Sequence, residues 1–227
     1  IFGGELDNTI LKDQLNLMRV GEPMYVFYGY VEDGYDENGH IVYKNMDDDP
    51  AITAADKTII GDPNPDFLVN LTTAVSYKGF TLSAFFQSSI GNDIYSLSMA
   101  AQAYDYGYNG NTLREVYYNH WTPENPTAKY PNLDQTSYKM SDRFVYDGSF
   151  VRLKNLELAY DVPCARNKFI KRARVYVSAQ NLFTITSYPF WDPDINANGG
   201  GSSMIQGVDS YCYPSARTYT IGCRLTF

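Results

Sequence analysis

The residues best suited to hold a ligand lie in an acidic stretch, residues 45–56. Within this window of twelve residues, oxygen-bearing side chains stand at positions 1, 3, 5 and 12, and a hydrophobic residue stands at position 8. An EF-hand-like loop wraps Ca²⁺ with this spacing and adds a backbone carbonyl at position 7. The candidate ligands are Asn45, Asp47, Asp49, the Ala51 carbonyl and Asp56.

Two residues of this acidic stretch depart from the Ca²⁺-binding pattern. Pro50 stands where the turn of such a loop requires Gly, and Asp56 replaces the Glu that binds with both oxygens. Two interpretations therefore remain open, a weak Ca²⁺ site and a solvated acidic loop. The chain requires no cofactor under either interpretation.

Aromatic side chains in polar segments are the second set of candidates. Each tryptophan precedes a turn made of one residue, a proline and an acidic residue, and tyrosines cluster before residue 110. Such rings can stack on a sugar or contact a partner protein, but they can equally fix a loop or form an aromatic girdle at a membrane surface. The residues are Tyr104, Tyr106, Tyr108, Trp121 and Trp191.

The sequence carries no recognisable set of catalytic residues. His40 and His120 are not arranged as HExxH or beside cysteines at metal-ligand spacing, and no nucleophile elbow or phosphate-binding loop occurs. Acidic pairs are frequent, but they concentrate in polar connections, where solvation explains them. We therefore predict that the protein is not an enzyme.

Composition excludes further classes of function. Lys and Arg number 18 against 26 Asp and Glu, which gives a net charge of −8 that disfavours nucleic acid as a partner. No apolar run reaches about 18 residues, so no transmembrane helix is expected. The three cysteines are too few for a disulfide framework.

The strongest structural signal is an alternation of apolar and polar residues. From residue 217 to the end, apolar residues such as Tyr219, Ile221 and Leu225 alternate with polar ones for about ten residues, the length of a tilted membrane-crossing strand. Similar runs occupy residues 67–77, 80–87, 149–160 and 172–180. Lys78-Gly79 predicts a tight hairpin turn between the first two runs, and a change of phase predicts a bulge near Asn155.

Two architectures are compatible with this alternation. An antiparallel sandwich would cover the apolar faces with a second sheet, whereas a barrel would expose them to lipid and enclose the polar faces, including Arg172, Arg174 and Arg224. Long polar connections at 34–65, 91–139 and 187–214, opposed to short turns, favour the barrel. Residues 94–104 are expected to include a short helix, and residues 113–121 predict either helix or strand.

Several segments in register resemble one known family. They are Gly21–Tyr30, Gly61–Phe67, Trp121–Pro126 with Lys129–Pro131, Asp147–Leu156, Arg174–Phe183 and Tyr213–Gly222, followed by the terminal Phe227. In this order and spacing they resemble the C-terminal part of SusC/RagA-like TonB-dependent outer-membrane transporters. A final aromatic residue resembles the signal read by the outer-membrane assembly machinery, although Phe227 also fits an ordinary apolar face.

The resemblance implies a fold and a function. The fold class is all-β, an antiparallel transmembrane β-barrel with long extracellular loops, of which residues 1–227 would supply the C-terminal strands. For the full-length protein, the resemblance implies a barrel of about 22 strands whose lumen is filled by an N-terminal plug. The function implied is import of oligosaccharides or peptides, energised through TonB and delivered by a SusD-like surface lipoprotein that acts as a lid. The location implied is the outer membrane of a Gram-negative bacterium.

The beginning of the chain suggests a fragment or a processed protein. It starts at Ile1, and the plug and the TonB-contacting N-terminal region that the family implies are absent from it. We expect another chain or segment to complete the barrel, because an open wall would leave strand edges unpaired in lipid. A small closed barrel is the other possibility. The alternative function is a secreted β-sandwich that binds carbohydrate or acts as an adhesin.

Removal of divalent cations tests the acidic stretch. We expect EGTA to leave the midpoint of thermal unfolding of the full-length protein unchanged, because Pro50 and Asp56 both weaken the loop as a Ca²⁺ site. Scanning calorimetry with and without EGTA measures the midpoint. A fall of several degrees that added Ca²⁺ reverses would instead identify a structural ion.

Overall fold

A computed structural model describes residues 15–104, 111–135, 138–164, 169–195 and 206–227. Strands predominate in the described part of the chain, together with short helices and two 3-10 turns. In chain order the elements are β1 (Asn16–Leu17), β2 (Val26–Gly29), β3 (Glu32–Tyr35), β4 (Ile41–Tyr43), a 3-10 turn (Ala54–Asp56), β5 (Thr58–Gly61), β6 (Phe67–Tyr77), β7 (Phe80–Ile90), β8 (Asp93–Ser96), α1 (Leu97–Tyr104), α2 (Arg114–Tyr118), a 3-10 turn (Asp142–Phe144), β9 (Val145–Asp147), β10 (Phe150–Val162), β11 (Arg172–Thr186), β12 (Val208–Asp209) and β13 (Thr218–Thr226).

The chain divides into two compact units. The sheet unit contains residues 65–91, 148–194 and 213–227, and it holds the long strands. The connection unit contains the described parts of residues 1–64, 92–147 and 195–212, and it holds the short elements. In the described part of the chain, no helix is both long and apolar enough to cross a membrane.

The sheet unit is a single antiparallel sheet. Its five strands follow the order β13-β11-β10-β7-β6. They are 9 to 15 residues long, longer than the usual five or six of soluble sheets. The predicted all-β, antiparallel fold class is confirmed.

The predicted hairpin joins β6 to β7. Lys78 and Gly79 have φ values of +46° and +85°, and Tyr77 pairs with Phe80 across the turn. Positive φ at both central residues is the requirement of a type I′ turn, whose twist matches that of the flanking strands. The hairpin predicted from Lys78-Gly79 is therefore confirmed.

The predicted bulge lies in β10. The pairing of β10 with β7 shifts between Leu153 and Asn155, so that Lys154 is an extra residue. On the other side, the pairing of β10 with β11 shifts at the same point. Because side chains alternate along a strand, one extra residue changes which face each later side chain occupies. The bulge thereby keeps Val151 and Leu158 on the same face despite their opposite parity.

One face of the sheet is apolar and uncovered. A row of directly paired side chains crosses all five strands, and Val177 and Ile221 within it are 46% and 86% exposed. In strand order from β6 to β13, the row is Val75, Leu82, Leu158, Val177 and Ile221. A sandwich would bury Val175, Val177, Ile221 and Leu225 between two sheets, but the structure leaves all of them exposed.

The other face of the same strands is polar. The residues that neighbour the apolar row pair directly as Ala74, Ser83, Glu157, Ser178 and Thr220. Because successive side chains point to opposite faces, this row lies behind the apolar one. The sheet therefore separates an apolar surface from a polar surface along its whole width.

The two ends of the sheet differ in their connections. At one end, two residues join β6 to β7 and residues 163–171 join β10 to β11. At the other end, residues 91–149 and 187–217 form the long connections. Aromatic residues mark the short-turn end, where the Phe80 and Tyr160 rings lie 4.5 Å apart.

The connection unit has its own hydrophobic core, which the sequence analysis did not foresee in these polar connections. Phe27, Tyr95 and Phe144 are buried, and the Tyr95 ring lies 5.9 Å from each of the other two. Val116 of α2 and Ala100 of α1 belong to the same cluster. The short helix expected within residues 94–104 is confirmed as α1, and residues 113–121 contain α2 rather than a strand.

The hairpin turn provides a test of the register of β6 and β7. Gly79→Val is expected to destabilise the full-length protein by about 1–2 kcal/mol, because a residue with a Cβ is strained at positive φ. Chemical denaturation in detergent measures the free energy of unfolding. Lys78→Asn is the matched control and should be neutral, since Asn tolerates this conformation. An unchanged stability of the Gly79→Val variant would contradict the assigned turn.

Candidate functional site

The polar face of the sheet carries two arginines that form ion pairs, Arg152 and Arg174. Arg174 lies 3.7 Å from Glu157 and 3.4 Å from Asp161, which belong to the neighbouring strand. Nearer the long connections lies Arg152, which is only 1% exposed although it is charged. A buried charge must be paired and hydrogen-bonded, so Arg152 and its partners define a buried polar site on this face.

Arg152 links β10 to β11 and to both ends of the long connection between β11 and β13. Its Nε donates to Thr184 Oγ1 at 2.9 Å, and its Nη1 donates to Asp194 Oδ2 and Ser215 Oγ, each at 3.2 Å. Its Nη2 forms an ion pair with Asp192 Oδ1. One guanidinium therefore fixes β11, the turn after β11 and the segment before β13.

Asp192 completes this cluster with both of its oxygens. Oδ1 accepts from Arg152 and from the Asp194 N–H, and Oδ2 accepts from the Ser215 N–H at 2.9 Å. Burial opposes the charge of Asp192, but the two N–H groups and the guanidinium together hold its pKa below the ordinary value. Asp192 therefore stays ionised and neutralises the charge of Arg152.

A cavity of about 340 Å³ opens beside this ion pair. It is lined by residues of β10 and β11, of the turn after β11 and of the segment before β13. They include Arg152, Asn181, Thr184, Trp191, Asp192 and Arg217. Charged, amide, hydroxyl and aromatic groups thus converge on one space, an arrangement suited to ligand recognition.

The acidic stretch forms a chain of local hydrogen bonds. Asn45 Oδ1 accepts from the Asp47 N–H at 3.1 Å, Asp47 Oδ1 from the Asp49 N–H at 2.8 Å, and Asp49 Oδ1 from the Ala51 N–H at 3.0 Å. Each of these side chains therefore stabilises the backbone two residues further on. This turn chemistry explains the acidic composition without an ion.

Asp56 has a separate structural task. It is fully buried, its Oδ1 accepts from the Met46 N–H and its Oδ2 from the Thr53 N–H, each at 2.7 Å. The Met46 N–H and then the Thr53 N–H hold the pKa of Asp56 below its ordinary value, because both bonds favour the carboxylate. Asp56 also forms a capping box with Thr53.

The Ca²⁺ site stays a prediction. Among the described residues, no three His, Cys, Asp or Glu side chains are grouped so that they could hold a metal ion. Such a group does not include amide or backbone oxygens, so it leaves out the candidates Asn45 and the Ala51 carbonyl. The EGTA measurement described above therefore remains the test.

The aromatic candidates occupy different places. Trp121 packs directly over Gly39, where φ is +81° and any Cβ would collide with the indole ring. Tyr104 ends α1, and Tyr106 and Tyr108 lie outside the described residues. Trp121 thus has a structural contact within the connection unit.

Trp191 and Phe227 lie in the sheet unit. Trp191 is 57% exposed, lines the cavity and stacks on Phe190 with ring centroids 5.0 Å apart. Phe227 follows β13 at the short-turn end and is also exposed. Of the predicted site residues that the structure describes, Trp191 alone lines this cavity.

The sequence analysis missed Arg152, Asp192 and Arg217 as site residues. A signal for Arg152 was present, because a charge between Val151 and Leu153 in a strand must face a polar environment. Its partners lie 40 and 42 residues further along the chain, and spacing alone does not bring them together.

Comparisons with known proteins were made for the whole chain. No protein-family model matches it. The TonB-dependent receptor P3 of Formosa agariphila is 32% identical over 96% of this chain and 23% of its own length. The TonB-dependent receptor SusC of Bacteroides thetaiotaomicron is 30% identical over 92% of this chain and 20% of its own length. The chain thus spans less than a quarter of the length of these curated relatives.

A solved structure shows the same fold. The match to the RagAB peptide importer in its closed-closed state covers 100% of this chain and 25% of the importer chain, with a TM-score of 0.78 and 26% identity. Sequence and structure thus agree with the predicted resemblance. The chain belongs to the SusC/RagA-like family of TonB-dependent receptors.

Proposed function

We propose that this chain forms part of the wall and the external connections of a TonB-energised nutrient importer in the outer membrane of a Gram-negative bacterium. The observation that carries the proposal is the uncovered apolar row from Val75 to Ile221. The family membership of the chain supports the same function.

The apolar row suits contact with hydrocarbon. A soluble protein avoids a continuous apolar surface of this extent, whereas a membrane barrel requires one on its outside. Strands of 9 to 15 residues are long enough to cross a bilayer when tilted, since about nine to eleven residues suffice. Lipid is therefore the partner that we assign to this face.

The connections set the orientation. Outer-membrane barrels place short turns on the periplasmic side and long loops outside the cell. The Lys78-Gly79 turn would therefore lie in the periplasm, and the long connections 91–149 and 187–217 would lie outside.

The edges of the sheet require further strands. In the described part of the chain, β6 and β13 each pair on one side only. Backbone N–H and C=O groups left unpaired in hydrocarbon cost several kcal/mol each. The remaining barrel segments would satisfy them and enclose the polar face as a lumen.

The function is transport rather than bond chemistry. The Arg152 cluster would keep the wall rigid where it meets the external connections, and the polar face would line the path of the cargo. An N-terminal region outside this chain would contact TonB.

A surface lipoprotein of the SusD type would deliver the cargo, an oligosaccharide or a peptide. Support comes from the similarity to SusC and to RagAB, the latter a peptide importer. The connection unit, with a core of its own, would offer this lid protein a folded surface.

Two adjacent positions of β11 test the membrane assignment. Val177→Arg should reduce the unfolding free energy of the full-length protein in lipid by about 2–4 kcal/mol, because it places a charge in hydrocarbon. Ser178→Arg is the matched control at the same depth and should change it little, since Ser178 pairs with Glu157 on the polar face. Denaturant titration in lipid vesicles measures both.

The reverse order of the two variants would contradict the proposal. If Arg at position 178 destabilised the protein more than Arg at position 177, the apolar row would not face lipid.

A further inference from the structure

We propose that the cavity beside Arg217 and Trp191 binds a sugar unit that carries a carboxylate, and that the cargo is therefore an acidic oligosaccharide. This inference rests on the proposed import function and names the substrate class for it. It is argued from three groups that line one cavity of the sheet unit, namely Arg217, Trp191 and Thr184.

The cavity has the size and position of a ligand site. Its volume of about 340 Å³ lies within the range of about 300 to 1,000 Å³ that small-molecule sites occupy. Arg152 and Asp192 form one wall, but they neutralise each other and hold each other in place. Asp194 also pairs with Arg152 and lies 3.8 Å from Lys154, so two cations and two carboxylates balance and this wall contributes no net charge.

Arg217 supplies the unbalanced charge. It is exposed and lines the cavity, and within the described ranges no carboxylate lies at ion-pair distance from it. A guanidinium presents a planar fork of donors that matches a carboxylate with two parallel hydrogen bonds. The cavity is thus selective for an anionic group.

Trp191 supplies a flat apolar surface. One side of its indole stacks on Phe190 with an angle of 15° between the planes, which holds the ring in place. More than half of the residue stays exposed, at 57%. A pyranose ring presents an apolar face of C–H groups that packs on such a surface.

Asn181 lines the same cavity with an amide that is fixed in place. Its Nδ2 donates to the Ala216 carbonyl at 2.9 Å, which fixes the amide orientation and identifies the other atom as Oδ1. Oδ1 is buried and has no hydrogen-bond partner among the described residues. Because this atom is closed to solvent, Asn181 shapes the wall of the cavity and leaves the polar contacts with a ligand to its neighbours.

Thr184 adds a hydroxyl at the same wall. Its Oγ1 accepts from Arg152 Nε at 2.9 Å, so its own proton can be donated to a ligand oxygen. A cation, a flat apolar ring and a hydroxyl donor together match a carboxylate, a ring face and a sugar oxygen. A uronic acid unit carries all of these on one ring.

The binding test uses the full-length receptor in detergent and three defined probes. They are a β-1,4-linked tetramer of glucuronic acid, the neutral tetramer of glucose with the same linkage, and a tetraglutamate peptide. Isothermal titration calorimetry measures each Kd. We expect the acidic sugar to bind at least about tenfold more tightly than either other probe, the difference expected for a charge-assisted pair.

Three variants test whether this cavity determines the preference for the acidic sugar. Arg217→Gln should weaken binding of the acidic tetramer about tenfold and leave the neutral tetramer unchanged. Trp191→Ala should weaken both sugars. Arg114→Gln, which removes an exposed Arg of the connection unit, is the control and should change neither.

Three results would overturn the inference. They are equal binding of the acidic and neutral tetramers, tighter binding of the peptide, and an acidic-sugar Kd that Arg217→Gln leaves unchanged. None of them affects the comparison of Val177→Arg with Ser178→Arg, so failure of the substrate class and failure of the membrane assignment are distinguishable.

Discussion

The central constraint on this structure is that a strand in hydrocarbon must satisfy its backbone through its neighbours while its two faces meet different environments. Continuous pairing across β13, β11, β10, β7 and β6 meets the first requirement within the sheet. Strict alternation meets the second, because it puts Val177 and Ser178 on opposite faces. In β10 the apolar residues change from odd to even positions, and the bulge at Lys154 keeps them on one face, so the apolar surface remains continuous.

Charge follows from the same constraint. Arg152 and Arg174 occupy the polar face, and each is paired with carboxylates. This placement agrees with the proposed membrane orientation, in which a guanidinium on the apolar face would lie in lipid. Arg152 is the more consequential of the two, since its partners come from the chain segments that enter and leave the long connections. The ion pair with Asp192 thereby forms one wall of the cavity that Arg217 and Trp191 also line, where we propose that an acidic sugar binds.

The features that the sequence predicted are those encoded by near neighbours. Lys78-Gly79 can form only a narrow set of turns, and the phase change between Leu153 and Leu156 requires an extra residue, so the hairpin and the bulge were predictable. The core of the connection unit was not predictable, because Phe27 and Tyr95 lie in strands of four residues and Phe144 lies in a 3-10 turn, all too short to show periodicity. The Arg152 cluster escaped prediction because its partners lie 40 and 42 residues further along the chain. Trp191 was singled out from its residue type, and the structure places it in the lining of the cavity, but its contact with a ligand stays a prediction. The spacing of Asn45 to Asp56 fits a Ca²⁺ loop, yet it serves local turns equally well.

The most direct test of the central claim measures what surrounds the two faces. Single spin labels are placed at positions 221 and 220 of β13 in an otherwise cysteine-free full-length receptor in lipid bilayers, and collisions with oxygen and with a water-soluble nickel complex are compared. Oxygen concentrates in hydrocarbon, so the account predicts that the label at 221 collides chiefly with oxygen and the label at 220 chiefly with nickel. Equal access of nickel to both positions, or protection of position 221 from both reagents, would contradict the claim that lipid covers the apolar row.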